Sequence, residues 1–176
     1  FEIVKEKFGI NEMIRKNESK KSAAIIFLGL DHFKRINDTL GHAVGDQLLK
    51  AVADRLRGIL SKNDIMTRIG GDEFVILRPH LSNTGEGVAL AKEIFQAFRS
   101  PFLIGGHELF INCSIGISYH PNDGNAAEEL LKKADAAMYA AKSLGRNTYQ
   151  LYSPTMEIRP SSRLELENSL RRALER

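Results

Sequence analysis

Arg68-Ile69-Gly70-Gly71-Asp72-Glu73-Phe74-Val75-Ile76-Leu77 is the stretch whose reading decides this chain. Two glycines and two acids lie between short apolar runs, so a hairpin is expected, with strands over Ile65 to Ile69 and Phe74 to Leu77. Gly70 and Gly71 supply a tight turn free of any Cβ penalty. Asp72 and Glu73 then fall at its tip. Two anions on one turn repel each other unless a cation meets them. Carboxylates beside a close backbone approach are what a hard metal ion and a polyphosphate require. Taken alone, the four residues would also suit a solvated turn with ordinary surface acids.

Outward from the hairpin, the apolar pattern alternates between strand and helix. Ala23 to Leu30 is a continuous apolar run, the signature of a strand buried on both faces. Asp31 to Leu40 reads as a short helix ending near Gly41. In Gly45 to Leu60 an amphipathic stripe runs through Leu48, Leu49, Val52, Leu56, Ile59 and Leu60. Val88 to Phe98 is a further helix. Phe102 to Ile104 and Glu108 to Ile111 flank Gly105-Gly106 as a second hairpin. Ser114 to Tyr119 is a strand, Ala126 to Leu144 a helix, and Thr148 to Leu151 a closing strand. This order predicts an α/β (α+β) fold whose mixed, largely antiparallel central sheet is flanked by helices.

The ends differ from the middle. Phe1 to Glu18 has loose helical periodicity, so residues 1–22 read as a helical lead-in. Pro160-Ser161-Ser162 marks a break and a helix start, followed by Leu164, Leu166, Leu170 and Leu174 on a charged helix. That helix has no core of its own. It is either a plain C-terminal helix or a connector to something further on.

Composition narrows the classes. The 176 residues amount to one domain with an appendage, and 43% apolar with 27% charged content fits a globular α/β protein. A net charge of +3 argues against a nucleic-acid groove as the main business. Cys113 is the only cysteine, so no intrachain disulfide can form, and a reducing, cytoplasmic compartment is natural. Its place in a strand reads as a packed core thiol. No apolar stretch reaches the length of a membrane span, so no membrane contact is expected of this fragment, although it could be the cytoplasmic part of a larger, membrane-anchored protein.

Three motifs then fall in a telling order: Phe27-Leu28-Gly29-Leu30-Asp31-His32-Phe33-Lys34-Arg35-Ile36-Asn37-Asp38 with Gly41-His42-Ala43-Val44-Gly45-Asp46; the Gly70–Phe74 turn; and Ala134-Asp135-Ala136-Ala137-Met138-Tyr139-Ala140-Ala141-Lys142-Ser143-Leu144-Gly145-Arg146-Asn147. Together they resemble the GGDEF family, the diguanylate cyclases, over roughly residues 23 to 152. The resemblance implies a fold shared in outline with polymerase palms and nucleotidyl cyclases. It implies the condensation of two GTP molecules into cyclic di-GMP with Mg2+ or Mn2+, in a homodimer formed at least transiently. Carried over by motif, Asp72 is the metal-binding acid, and Glu73 acts beside it on metal or nucleotide. Gly70 and Gly71 let the backbone approach the phosphates, and Asn37 and Asp46 read guanine. Lys34, Lys142 and Arg146 grip the triphosphate. Lys142 and Arg146, spaced i, i+4, would project the same way from a helix. Standing alone, Asn37 would read as a helix C-cap, Asp46 as an N-cap, and the two cations as a solvated face. The tail looks like the connector into an EAL phosphodiesterase domain, giving a division into a GGDEF domain over 1–152 and a connector over 153–176.

Three departures from the family pattern stand out. The place of the first strand's metal-binding acid is Gly29, and Asp31 is the second acid of that pair. The usual Leu-Thr-x-Leu-Pro-Asn-Arg stretch upstream is missing; Phe8-Gly9-Ile10-Asn11-Glu12-Met13 stands there. Ser61-Lys62-Asn63-Asp64 replaces the Arg-x-x-Asp that binds inhibitory product in many relatives, so no tight product site is expected there. Gly29 leaves two expectations open: a cyclase with impaired activity, or a GTP-binding regulatory module that controls an attached EAL domain.

Overall fold

The computed structural model describes residues 22–156. The expected lead-in, apart from Ser22, and the connector helix beyond Met156 lie outside the described residues. In chain order the elements are β1 (Ser22–Leu30), α1 (Phe33–Leu40), α2 (His42–Ile59), β2 (Ile65–Gly70), β3 (Glu73–Leu81) and α3 (Gly85–Phe98). There follow β4 (Phe102–Ile104), β5 (His107–Leu109), β6 (Cys113–His120), α4 (Ala127–Ser143) and β7 (Tyr149–Leu151). Five strands form one sheet in the order β2-β3-β1-β6-β7, antiparallel throughout except for β6 with β7. The β4–β5 hairpin is separate and turns on Gly105 and Gly106, both at positive φ. A mixed, largely antiparallel sheet flanked by helices is therefore the fold.

β1 is central, and this is why its sequence is unbroken in hydrophobicity. Alternate side chains leave opposite faces of a strand. Ala24, Ile26, Leu28 and Leu30 pack with Leu48, Val52 and Leu56 of α2 and Leu90 and Ile94 of α3. Ala23, Ile25 and Phe27 pack with Leu130, Leu131, Ala134 and Met138 of α4. Gly116 on β6 lets α4 lie close. A Cβ there would collide with main-chain atoms of Ala134, Ala137 and Met138. Arg55 of α2 donates to the carbonyls of Ala97 (3.2 Å) and Pro101 (2.8 Å) and stacks over Phe102, tying α2 to the end of α3.

Several boundaries differ from the sequence-based expectation for identifiable reasons. α1 begins at Phe33, because the buried Asp31 is bonded to β6 and to the loop after α4, and His32 is left-handed at φ 58°. α2 begins at His42, three residues before Gly45, since a single residue, Gly41 at φ 84°, separates it from α1. Its first turn, His42-Ala43-Val44-Gly45, offers only Val44 to the core, too little to register as apolar periodicity. β3 runs on past Pro79 to Leu81, with Ala24 opposite Arg78 and Ser22 opposite Leu81. Pro79 and His80 fall in that irregularity, where a missing N–H costs no ladder bond.

Candidate functional site

The signature hairpin turns on two residues, Gly71 and Asp72, between the paired Gly70 and Glu73. Gly71 has φ +53°, which favours glycine. The Arg68 Nε donates to the Gly71 carbonyl at 2.8 Å, and the Leu30 N–H donates to the Asp72 carbonyl at 3.1 Å. These bonds pin the turn to the end of β1. Asp72 is half-buried there. Glu73 is the first residue of β3 and lies directly opposite Gly29.

Antiparallel pairing puts Gly29, Glu73 and Ser114 on one face of the sheet, the face covered by α4. Lys142, in the last turn of α4, leans over that point. A Cβ built on Gly29 would lie 2.8 Å from the Lys142 Nζ, 2.8 Å from the Met138 Sδ and 3.1 Å from the Lys142 Cε. Burial raises the pKa of Asp135, two turns earlier on α4, and the Lys142 charge opposes part of that rise.

Arg146 is not on a helix. α4 ends at Ser143, Gly145 turns at φ 112°, and the Arg146 N–H donates to the Ala141 carbonyl at 3.2 Å in a Schellman-type closure. The expected shared projection of Lys142 and Arg146 from one helix is thus corrected: the glycine ends the helix between them. Arg146 is exposed at φ 66°. Asn147 follows it, and its N–H donates to the Asp31 Oδ2 at 3.0 Å, while the Ser114 Oγ donates to the Asp31 Oδ1 at 2.8 Å. Asp31 is a buried clip that holds the loop after α4 against β1 and β6.

On the other side of the β1 end, α1 and α2 bring Asn37 and Asp46 together. Asn37 lies inside α1 and Asp46 inside α2, so neither is a helix cap. The Asn37 side chain packs on Gly45, where a Cβ would collide with its Oδ1. That Oδ1 is buried and has no hydrogen-bond partner among the described residues. Lys34, one turn before Asn37, is exposed on α1.

A cavity of about 410 Å³, within the range for small-molecule sites, opens beside Asp46. It is lined by Asp46, Leu49, Lys50, Ala53, Arg57, Met66, Thr67, Arg68 and Phe74. Sequence reasoning missed Lys50, Arg57 and Arg68 as cations facing this space. The signal was present, since Asp46, Lys50, Ala53 and Arg57 recur at helical spacing on one face of α2.

Elsewhere, the carboxylate of Asp64 is 1% exposed and accepts from Arg78 at 3.0 and 2.6 Å and from the Ser61 N–H at 2.8 Å. Burial alone would raise its pKa, but the hydrogen bonds from Arg78 and Ser61, with the Arg78 charge, together outweigh this and hold it below the usual carboxylate range. The Cys113 thiol is buried in β6, and burial with the nearby Asp31 pushes its pKa up, which suits a core residue rather than a nucleophile.

Residues 6–148 match the family described as diguanylate cyclase, GGDEF domain, and the chain belongs to that family. It is 44% identical over 154 residues to a cyclic di-GMP phosphodiesterase of Pseudomonas aeruginosa, NbdA, covering 88% of this chain and 20% of that protein. It is 43% identical over 162 residues to the signaling protein YkoW of Bacillus subtilis, covering 92% of this chain and 20% of that one. Among solved structures, the GGDEF domain of P. aeruginosa TpbB superposes with a TM-score of 0.80 at 34% identity, over 84% of this chain and 92% of that one. An EAL/GGDEF domain protein from M. capsulatus gives 0.72 at 46% identity, over 76% and 86%. The chain spans about a fifth of the length of the curated relatives it matches.

The family generally uses a divalent metal ion. The residues present fit a protein-held ion poorly. Among the described residues no three His, Cys, Asp or Glu side chains cluster to hold one, and an ammonium lies over the position where a β1 carboxylate would sit. No helix of the described residues is long and apolar enough to cross a membrane.

Proposed function

We propose that this chain is a GTP-binding domain of cyclic di-GMP signalling whose condensation step is weakened at Gly29. The observation that carries the reading is the buried, unpartnered Asn37 Oδ1 beside Gly45 and Asp46. A buried acceptor left unpaired costs roughly 1–3 kcal/mol, which an outward turn of the amide to meet a ligand N–H would recover. Asp46 can accept from both the ring N–H and the exocyclic amine of guanine, a pair that adenine lacks. Lys34, Lys142 and Arg146 offset triphosphate charge, and the Gly70-Gly71 turn gives the phosphates close approach. Mg2+ or Mn2+ would arrive on the nucleotide, with Asp72 as its protein contact.

The test is a calorimetric titration with GTP and ATP. GTP should bind more tightly, and Asp46→Ala should weaken it by about 1–3 kcal/mol. Equal affinity for the two nucleotides would refute the reading.

Condensation needs two GTP molecules facing each other, so any synthesis of cyclic di-GMP by this domain requires a homodimer, at least transiently. The intact Gly70–Phe74 signature favours retention of some activity. We infer a division into a GGDEF domain over 1–152 and a connector over 153–176. An attached EAL domain under the control of bound GTP, in the cytoplasm, is the wider role we infer.

A further inference from the structure

We propose that the Lys142 ammonium is the resident counter-charge for the bound triphosphate, so that this domain holds GTP without needing a divalent metal ion. The proposal rests on the reading of the domain as a GTP site and concerns how that site neutralises charge.

Three observations meet at the end of β1. Gly29 removes the only β1 side chain that could point from this position toward α4. The Lys142 Nζ and Cε, with the Met138 Sδ, lie in the space that such a side chain would enter. The register leaves Glu73, opposite Gly29, and Asp72, in the adjoining turn, as the acids of this corner. A divalent ion there would have an ammonium as its like-charged neighbour and would lack one carboxylate.

The ammonium is well placed for the task itself. It belongs to the last turn of α4, where exposed carbonyls favour a cation. Met138, one turn earlier, is packed in the core and limits where the lysine stem can go. Asp135 of α4 interacts with its charge, and Glu73 of β3 lies on the sheet face beneath it, beside the Asp72 turn. A lysine carries its charge on a flexible stem, so a phosphate can draw the ammonium toward it without moving the backbone.

The experiment compares GTP affinity in Mg2+ with affinity in excess EDTA, by calorimetry, for the unaltered chain, Lys142→Met and Gly29→Asp. Chelation should change the affinity of the unaltered chain by less than about threefold, whereas Lys142→Met should weaken GTP by about tenfold to a hundredfold in both conditions. Gly29→Asp, which draws the ammonium into an ion pair and restores an acid, should make binding depend on Mg2+. A thermal melt of each chain checks the fold, and the EDTA comparison needs no variant. A tenfold or larger loss on chelation in the unaltered chain would overturn this proposal while leaving the GTP site standing. Unchanged binding by folded Lys142→Met would do the same. Failure of GTP to bind in either condition would overturn both.

Discussion

Replacing Gly29 by Asp should raise cyclic di-GMP synthesis while leaving the fold intact. The new Cβ would meet the Lys142 Nζ and the Met138 Sδ, each at 2.8 Å. Lys142 can swing away on its flexible stem, while the core-packed Met138 must yield at its sulfur end. Overpacking against rigid neighbours costs about 1–3 kcal/mol; here the cost should fall at or below the low end. Burying a carboxylate adds a desolvation penalty, which the adjacent ammonium offsets. Stability should therefore change by no more than about 1 kcal/mol, a Tm shift of roughly 2–4 °C. The gain in synthesis should be larger. Altering a group that merely orients a metal ligand costs about 10–100-fold, so restoring a direct carboxylate should return at least that much. The assay is chromatographic quantitation of cyclic di-GMP from saturating GTP and Mg2+. Gly29→Asn serves as the control of equal size without charge. Equal synthesis by the unaltered chain, the Asn variant and the Asp variant, all folded, would refute the reasoning.

Other outcomes follow from the same geometry. Gly45→Ala gains up to about 1 kcal/mol of helix propensity but drives the Asn37 amide from its seat, so melting should barely move while GTP affinity falls about tenfold. Gly116→Ala forces a methyl against main-chain atoms of α4 that cannot yield, and should cost about 3 kcal/mol, read as a fall in Tm of roughly 6–12 °C. Asp64→Asn should cost about 1–3 kcal/mol near neutral pH by weakening the bonds to Arg78. Because the folded pKa of Asp64 is lowered, that contribution is present above the ordinary carboxylate pKa and is lost as pH falls through the folded value. The difference between variant and parent in denaturant melts should thus shrink below about pH 4. Cyclic di-GMP titrated onto the chain should show no tight site at Ser61 and Asp64, whose carboxylate is already engaged by Arg78. A crystal with the dinucleotide stacked there would refute this.

Much of the architecture was legible in the sequence because one strand dominates it. β1 is apolar at every position that needs burial, and the helices that cover it keep their stripes. What the sequence hid was conformation without hydrophobic signal. The first turn of α2, with small residues and a lone Val44, gave no periodicity, and the end of α4 between Lys142 and Arg146 depended on one glycine. The candidate site was legible as a set of residue types, since Asn37, Asp46 and the Gly70–Phe74 turn all lie around one end of the sheet. Its pairings were not. That Gly29 lies opposite Glu73, and that a lysine fills the space beside it, depends on register and on the close seating of α4 at Gly116. Asp31 showed the opposite case, an acid within a site motif that is spent on holding a loop.

The parallel edge strand has a mechanical consequence. β7 is three residues long, and hydrogen bonds from the Ile115 N–H to the Thr148 carbonyl and from the Tyr152 N–H to the Ile117 carbonyl extend its attachment to β6. A pull along the strand axis loads these rungs together, in shear, and meets their combined resistance. A pull away from the sheet peels them one at a time and meets little. The next segment inward is the loop of Arg146 and Asn147, held to the sheet through Asp31. Traction on the C-terminal end of the domain therefore reaches the Arg146–Asn147 loop with a stiffness set by its direction, and the edge strand acts as a strain gauge between that end and the candidate site.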